Sequence, residues 1–480
     1  MGCRQWSSSV VKSVSGCSAA SVKYPVRRWP WLALVAVLGG CSLVPSYQAP
    51  ELPLAEHWDA TQPVAAAAGG QWWQAFGSAE LNTLIRRGLS QNYDLQAALS
   101  RIDEARSSAQ VAGAAQFPLV SLNGLQQRQN NYGTTEKKSV FAEASYEVDF
   151  WGRNRALAKS ADALANATVF DAQTLRMTLS ADIANSYLQV LSLDERLKLA
   201  RSIAADAQQV LQLVEVQASQ GAVSNLEVAQ QRNALQTFQA AVPTLQQQRD
   251  QALYQLAVLV GAQPQGFSIQ GGPLQQVKSP QPSAGLPIGL LRQRPDIQAA
   301  EARLQGANFD VGAARAAFLP NLSLDLIGGV DTLAGGNIWS LVGSLSQPLF
   351  SGGQLTGQLH YDQARFRELS ASYRQAIILG LQDVATQLSA TTELDKNYAL
   401  SQAAVDSARE AARLAQVRYR LGSTDFQTLL IVERTQYQAE DSLLQVRLLH
   451  LQAAVGLFRA LGGDFDAQAI ASSSSVRAAH

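Results

Sequence analysis

The chain holds 480 residues with 38 Lys+Arg against 38 Asp+Glu, a formal net charge of +0. That balance gives no electrostatic draw toward nucleic acid or an acidic surface. The cysteines are Cys3, Cys17 and Cys41, and the histidines His57, His360, His450 and His480 are far apart, which excludes a disulfide framework and a local cluster of metal ligands.

At the N-terminus Lys23, Arg27 and Arg28 precede the apolar run 31–38, which ends in Leu38-Gly39-Gly40-Cys41. Basic, apolar and small-residue zones in that order read as a secretory signal over residues 1–40. The apolar run is too short to span a bilayer, which takes about 20 residues. The small pair before the cysteine resembles a bacterial lipobox, which implies acylation of Cys41, and Ser42 is similar to an outer-membrane sorting signal. The alternative is an ordinary cleaved signal that happens to contain a cysteine. Residues 41–77 then form a lipid-anchored linker.

From Gln71-Trp72-Trp73-Gln74-Ala75-Phe76 the chain enters a helical pattern marked by Leu81, Leu84, Ile85, Leu89, Leu95, Leu99 and Ile102, predicting helix over 78–116 until Pro118 ends it. From Leu119 the period becomes two. Val140, Ala142, Ala144, Tyr146 and Val148 alternate with Phe141, Glu143, Ser145, Glu147 and Asp149, the return arm of a hairpin whose polar tip is 126–138. Asp149-Phe150-Trp151-Gly152 turns the chain into residues 153–220, 68 positions with neither Gly nor Pro. Leu175, Leu179, Ile183, Tyr187, Val190, Leu193 and Leu197 lay one apolar stripe along it. One helix of that length spans about 100 Å, so it must zip against other helices or bridge two places. Gly221 stops it, a return helix covers 222–260, and the Gly/Pro-rich residues 262–287 form a linker.

The programme then repeats. Tyr93-Asp94-Leu95-Gln96-Ala97-Ala98 is echoed by Pro295-Asp296-Ile297-Gln298-Ala299-Ala300 and Pro118 by Pro320; the Phe150-Trp151-Gly152 turn returns as Phe350-Ser351-Gly352, Gly221 as Gly422, and Gly261 as Gly462. The offsets fall between 200 and 202, the mark of an internal duplication. The first repeat occupies 78–261, the linker 262–287, the second repeat 288–463 and a C-terminal tail 464–480. Each repeat reads helix, hairpin, very long helix, tip, return helix. The second hairpin carries Leu322, Leu324 and Leu326, then Trp339, Leu341 and Leu345, about a turn at Gly335-Gly336. Two short helices placed end to end match one long helix in length.

Four strands of roughly ten residues with alternating faces suit a membrane barrel and, by pattern alone, a small two-sided soluble sheet equally well. The anchor favours the membrane. Four strands cannot close on themselves, and a bilayer does not tolerate open sheet edges, so the barrel must be shared between chains. No Gly-rich phosphate loop follows a strand and no Ser/His/Asp set has a catalytic context.

Over about residues 41–465 the chain resembles the outer membrane factors of tripartite efflux systems, the TolC-like channels, particularly the OprM/NodT branch of lipoproteins. The resemblance rests on Trp72-Trp73 with Phe76, Asn92, Asp94-Leu95, the 146–153 turn, Arg294-Pro295-Asp296-Ile297, Ala313, Arg315 with Phe318-Leu319-Pro320, the Gln347-Pro348-Leu349-Phe350-Ser351-Gly352-Gly353 run, and Gln416-Val417-Arg418-Tyr419-Arg420-Leu421-Gly422. It implies a mainly α fold with a small β part: duplicated long α-helical hairpins forming a periplasmic α-barrel, plus four transmembrane β-strands per chain in a shared trimeric β-barrel. It also implies a homotrimer in the outer membrane lipid, a periplasmic adaptor, an inner-membrane resistance-nodulation-division pump, passive conduction, no enzyme activity, no cofactor and no nucleic acid. A lipid-anchored periplasmic coiled-coil scaffold without channel activity is the alternative.

The expected sites follow. The tips Gly221-Ala222-Val223-Ser224 and Gly422-Ser423-Thr424 are the adaptor-docking surface, because a Gly ending each long helix permits a tight reversal and the resemblance sets the tips furthest from the outer membrane. Glu227 and Tyr419 are the resting-gate pair, with Arg418 and Arg420 as basic partners. Asp425 stands one position later than the acid some members carry there, which puts a constricting acidic ring in doubt.

Overall fold

The computed structural model describes residues 43–53, 58, 71–130, 134–280, 289, 294–332 and 335–463, all within the unit that spans residues 42–480. The expected signal (1–40), Cys41 and the tail (464–480) lie outside the described residues. Trp72–Phe76 forms a 3-10 turn, and α1 (Ala79–Gln91) starts where the Ser78 hydroxyl accepts the Leu81 N–H. The helical pattern over 78–116 is not one helix. Asn92 takes an extended conformation (φ −66°, ψ 128°), its side-chain oxygen accepts the Leu95 N–H at 3.0 Å, and α2 (Tyr93–Ala114) begins anew. An asparagine that caps a helix satisfies donors the first turn cannot, and that local bond outweighs continuation.

Strands β1 (Leu119–Asn130) and β2 (Thr134–Val148) follow, then α3 (Arg153–Ser219), 67 residues without a break, and α4 (Asn225–Leu259). The second half gives α5 (Pro295–Ala316), β3 (Asn321–Asp331), β4 (Gly336–Ser346), α6 (Gln354–Arg420), also 67 residues, and α7 (Phe426–Ala460). Both return helices hold 35 residues. The first hairpin's strands run beyond the apolar alternation, with Gln126 opposite Lys138 and Asn130 opposite Thr134. Backbone pairing carries the ladder through residues whose side chains give no period-two signal.

The strands form one antiparallel sheet in the order β1-β2-β3-β4. Its register sorts side chains by face. Val120 pairs with Ala144, Ala144 with Leu326 and Leu326 with Leu341, which puts four apolar residues in one row. Two positions along on the same face, Leu122, Ala142, Gly328 and Trp339 form the next such row. A row on the other face joins Ser121, Glu143, Ile327 and Ser340. Among the described residues β1 and β4 each have one strand partner, so the sheet has two free edges there. Among the described residues no helix is long and apolar enough to cross a membrane.

The main core sits far from the sheet. Trp72, Trp73 and Phe76 pack with Leu81, Ile85, Ile183, Leu188, Leu191, Leu256 and Leu274, and the Trp72 ring stacks on Phe458 at 5.3 Å. Each such side chain contributes about 1.5–3 kcal/mol on burial. Two carboxylates draw the inter-repeat segment onto this core: Glu80 accepts the Gln270 and Gly271 N–H groups at 2.6 and 3.0 Å, and Glu195 accepts that of Leu274 at 2.8 Å.

The helices stack end to end beside α3. Asn92 Nδ2 donates to the Leu259 carbonyl at 3.1 Å, so the last residue of α4 is bonded to the cap of α2. In the second half Arg294, one residue before α5, donates to the Ala460 carbonyl at 2.9 Å, and Asp296 and Asp383 hold its guanidinium. Asn92→Ala is expected to remove both the cap and this joint, lowering unfolding stability by about 1–3 kcal/mol. Urea titration in detergent checks it, with the exposed Ser90→Ala as the reference that stays unchanged.

Candidate functional site

Two regions carry the candidate chemistry: the sheet with its flanking turns, and the tips of the two helical hairpins. At the sheet's helical end Asp149 accepts the Asn154 and Arg155 N–H groups at 3.1 and 2.9 Å, which starts α3 directly after the strand. Trp151 Nε1 donates to the Pro320 carbonyl at 2.8 Å, tying the first turn to the start of β3. Leu349 and Phe350 are 92 % and 91 % exposed, and Trp339 80 %, apolar and aromatic side chains that no described residue covers. On the opposite face of the sheet Asn123 Nδ2 donates to Glu143 at 3.1 Å and the Ser145 hydroxyl to Asp325 at 2.6 Å.

The tips repeat one backbone motif. Gly221 (φ 74°) and Gly422 (φ 68°) are left-handed, which a side chain disfavours. The Ala222 N–H reaches the Gln217 carbonyl at 2.9 Å and the Ser423 N–H the Arg418 carbonyl at 2.9 Å, so both long helices end in the same six-to-one closure. The returns differ. Ser224 precedes α4 without a side-chain cap, whereas Asp425 caps α7 through the Thr428 N–H at 2.7 Å and hydroxyl at 2.9 Å. Those bonds, the backbone one first, hold the Asp425 carboxyl below the usual carboxylate range. Val223 and Thr424 are half-buried, while Ala222, Ser224 and Ser423 are exposed.

The two tips touch through apolar side chains. Val214 of α3, Ala415 of α6, and Phe426 and Leu429 of α7 are buried together, with Val223, Val228 and Tyr419 at the margin. The Tyr419 ring lies 5.6 Å from that of Phe426, and its hydroxyl donates to Gln217 Oε1 at 3.4 Å. Burial, then the nearby Glu227 charge, raises the Tyr419 hydroxyl above its ordinary pKa. Glu227 therefore stands close to Tyr419, but the direct hydrogen bond goes to Gln217. One Glu227 oxygen is buried without a hydrogen-bond partner. Arg418 and Arg420 are exposed and form no ion pair with another described residue.

Gln217, Phe426 and Glu433 were not singled out by motif. Gln217 had a signal: it precedes Tyr419 by 202 residues, within one of the offset between the tip glycines, so the duplication sets both at one height. Higher up, Gln416 Nε2 donates to Glu433 at 3.2 Å across α6 and α7. Arg196 of α3 grips Asp441 of α7 in a two-pronged pair at 2.7 and 3.1 Å, and Phe238 of α4 meets Tyr437 at 5.8 Å. The hairpins are thus joined by an apolar contact near the tips and a polar strut above it.

Two long helical hairpins continued by a two-faced four-stranded sheet form the architecture that the chain shares with outer-membrane efflux channels. The family model for outer membrane efflux proteins matches residues 84–262 and 286–463, and the chain belongs to that family. It is 36% identical to the pyoverdine export outer membrane protein OpmQ of Pseudomonas aeruginosa, over 89% of this chain and 94% of that protein. It is 31% identical to the toluene efflux pump outer membrane protein TtgC of Pseudomonas putida, over 90% and 94%. Among solved structures it is similar to the outer-membrane channel OprN, with a TM-score of 0.83, 29% identity and coverage of 88% and 99%. The open state of the Neisseria gonorrhoeae MtrE outer membrane channel gives 0.82, 26%, 88% and 98%. The chain is an outer membrane efflux channel protein located in the outer membrane, and its family and relatives are channel proteins.

Burial raises the Glu433 carboxyl, the Gln416 hydrogen bond opposes that, and the Asp206 charge adds to it. A carboxyl raised in the folded state binds more protons than in the unfolded state, so its contribution to stability grows as pH falls through the raised value toward the ordinary one. Glu433→Gln is expected to raise the unfolding midpoint at about pH 7.5 and to flatten its change down to about pH 5. Denaturant unfolding of both proteins across that window checks it.

Proposed function

We propose that three copies of this chain close a twelve-strand barrel in the outer membrane and a twelve-helix tunnel below it. Through this duct drugs or other small molecules pass passively from a periplasmic adaptor and an inner-membrane pump of the resistance-nodulation-division type. One observation carries the reading: the sheet has apolar rows along one face and, among the described residues, two unpaired edges. A bilayer leaves such edges no hydrogen-bond partners, so they must meet other chains. The relatives named for pyoverdine export and for toluene efflux support a small-molecule cargo. Residues 78–261 and 288–463 act as the two structural repeats, and residues 41–77 and 262–287 as belt segments. Acylation of Cys41 adds an auxiliary anchor. A scaffold without a channel is the competing reading; it requires that the purified protein insert no conductance into planar bilayers. A detergent-stable trimer that conducts is the expected result, and a soluble monomer would overturn the proposal.

The tips 221–224 and 422–424 serve as the adaptor-docking surface and the Tyr419 region as the resting gate. Both glycine closures leave small exposed residues at the turn, Ala222 and Ser423. Ala222→Glu or Ser423→Arg should abolish resistance to exported compounds while leaving trimer levels normal. At the gate, Tyr419→Phe removes the hydroxyl but keeps the ring on Phe426. Combined with Glu227→Gln, it is expected to raise single-channel conductance and to admit large antibiotics into cells. A hydrogen bond of this kind contributes about 0.5–1.5 kcal/mol, and three copies together shift a two-state gate appreciably. Conductance identical to the parent would remove the pair from the gate.

A further inference from the structure

His450 of α7 lies at the end of the inter-repeat segment, outside every site described above. It is 6 % exposed, and three elements converge on it. From α6, Asp395 approaches Nε2 at 2.6 Å and the Tyr398 ring stacks at 6.0 Å. From the inter-repeat segment, the Ser279 hydroxyl lies 3.3 Å from Nε2. From α7 itself, Arg447 Nη1 lies 3.4 Å from Nδ1, its Nη2 donates to the Val277 carbonyl at 2.6 Å, and its guanidinium covers the Tyr398 ring at 5.4 Å.

These partners fix the tautomer. An arginine can only donate, so Nδ1 must accept; an ionised carboxylate can only accept, so Nε2 carries the proton. The neutral ring completes a chain of contacts from Asp395 through Arg447 to the Val277 carbonyl. A second proton on Nδ1 would set N–H against N–H at Arg447. Because the guanidinium is one rigid plane, losing its Nη1 partner also disturbs the Nη2 bond to Val277.

We propose that His450 is a proton-operated latch, whose protonation at Nδ1 displaces Arg447 and frees the 276–279 end of the inter-repeat segment from α7. The proton comes from solvent and returns to it. The charged groups acting on the ring are Asp395 from α6, which favours the imidazolium, and Arg447, which opposes it; the segment contributes an uncharged hydroxyl, since the Lys278 stem lies against Gly77. Burial is the largest influence and lowers the proton affinity of His450 from its ordinary value. The open form therefore binds protons more tightly than the closed one, and acid shifts the equilibrium toward opening. Glu80 and Glu195 hold residues 270–274, and the Lys278 N–H donates to the Phe76 carbonyl at 3.0 Å, all without His450, so release is confined to the contacts that the Val277 carbonyl and the Ser279 hydroxyl make with α7.

A nitroxide on the exposed position 276 (Gln276→Cys, in the full-length protein with Cys3, Cys17 and Cys41 each replaced by Ala) reads the latch by its mobile fraction. Between about pH 7.5 and pH 5.5 the ratio of mobile to immobile label should rise as pH falls, because the open form binds the proton more tightly than the closed one. His450→Gln should abolish the response, and a label at Gln236 of α4 should show none. Asp395→Asn, which removes the charge favouring protonation, should move the transition to lower pH. A flat response in the parent, or an unchanged one in either variant, overturns the latch.

Discussion

Everything in this chain depends on covering a helix about 100 Å long with helices half that length or less. The solution is a joint. α4 and α2 meet end to end beside α3, and the Asn92 side chain bonds the last carbonyl of one while capping the first turn of the other. The carbonyl end of one helix dipole thus abuts the amide end of the next, a favourable arrangement. Gly261 completes the approach: it is left-handed (φ 69°), and a Cβ there would lie 2.4 Å from the Gln91 carbonyl oxygen. The second repeat solves the same problem with different chemistry. Arg294 sets a cation against the carbonyl end of α7, and Asp296 and Asp383 balance it.

The tips show which interaction wins where both polar and apolar contacts are available. Tyr419 is held chiefly by the Phe426 ring and its apolar neighbours, and its hydroxyl adds one long hydrogen bond. The acids nearby are differently employed. Asp425 is committed to capping α7, while Glu227 acts on Tyr419 by charge alone. An apolar seam with a polar margin separates more readily than a buried ion pair, because neither side leaves an unpaired charge behind. The polar link between the hairpins, the Arg196–Asp441 pair, lies well above the tips.

The features legible in sequence are those with a period or an offset. The unbroken 153–220 run became α3, the repeated Pro, Gly and aromatic anchors became matching ends, and the alternation around Ala142 became β2. Features decided by a single side chain were not legible. The break at Asn92 depends on one cap and a bond to a residue 167 positions away. The hairpin tip at 126–138 proved to be mostly paired strand, because backbone hydrogen bonds need no side-chain pattern. Pro243 lies inside α4, where propensity alone would end a helix; packing along α3 overrides it. At the tips, that Tyr419 bonds Gln217 and not Glu227 depends on helix rotation, which a one-residue change turns by about 100°.

The matched lengths of the helices, 67 and 67 against 35 and 35, have an evolutionary corollary. A single codon inserted in one long helix advances everything below it by about 1.5 Å and rotates it by over a quarter of a turn, so every contact beyond that point loses its mate. Compensation would be needed in three other helices at once. The reach of such a duct is therefore inherited as a fixed quantum: new lengths can arise only by whole heptad-like blocks added in concert to both halves of the gene.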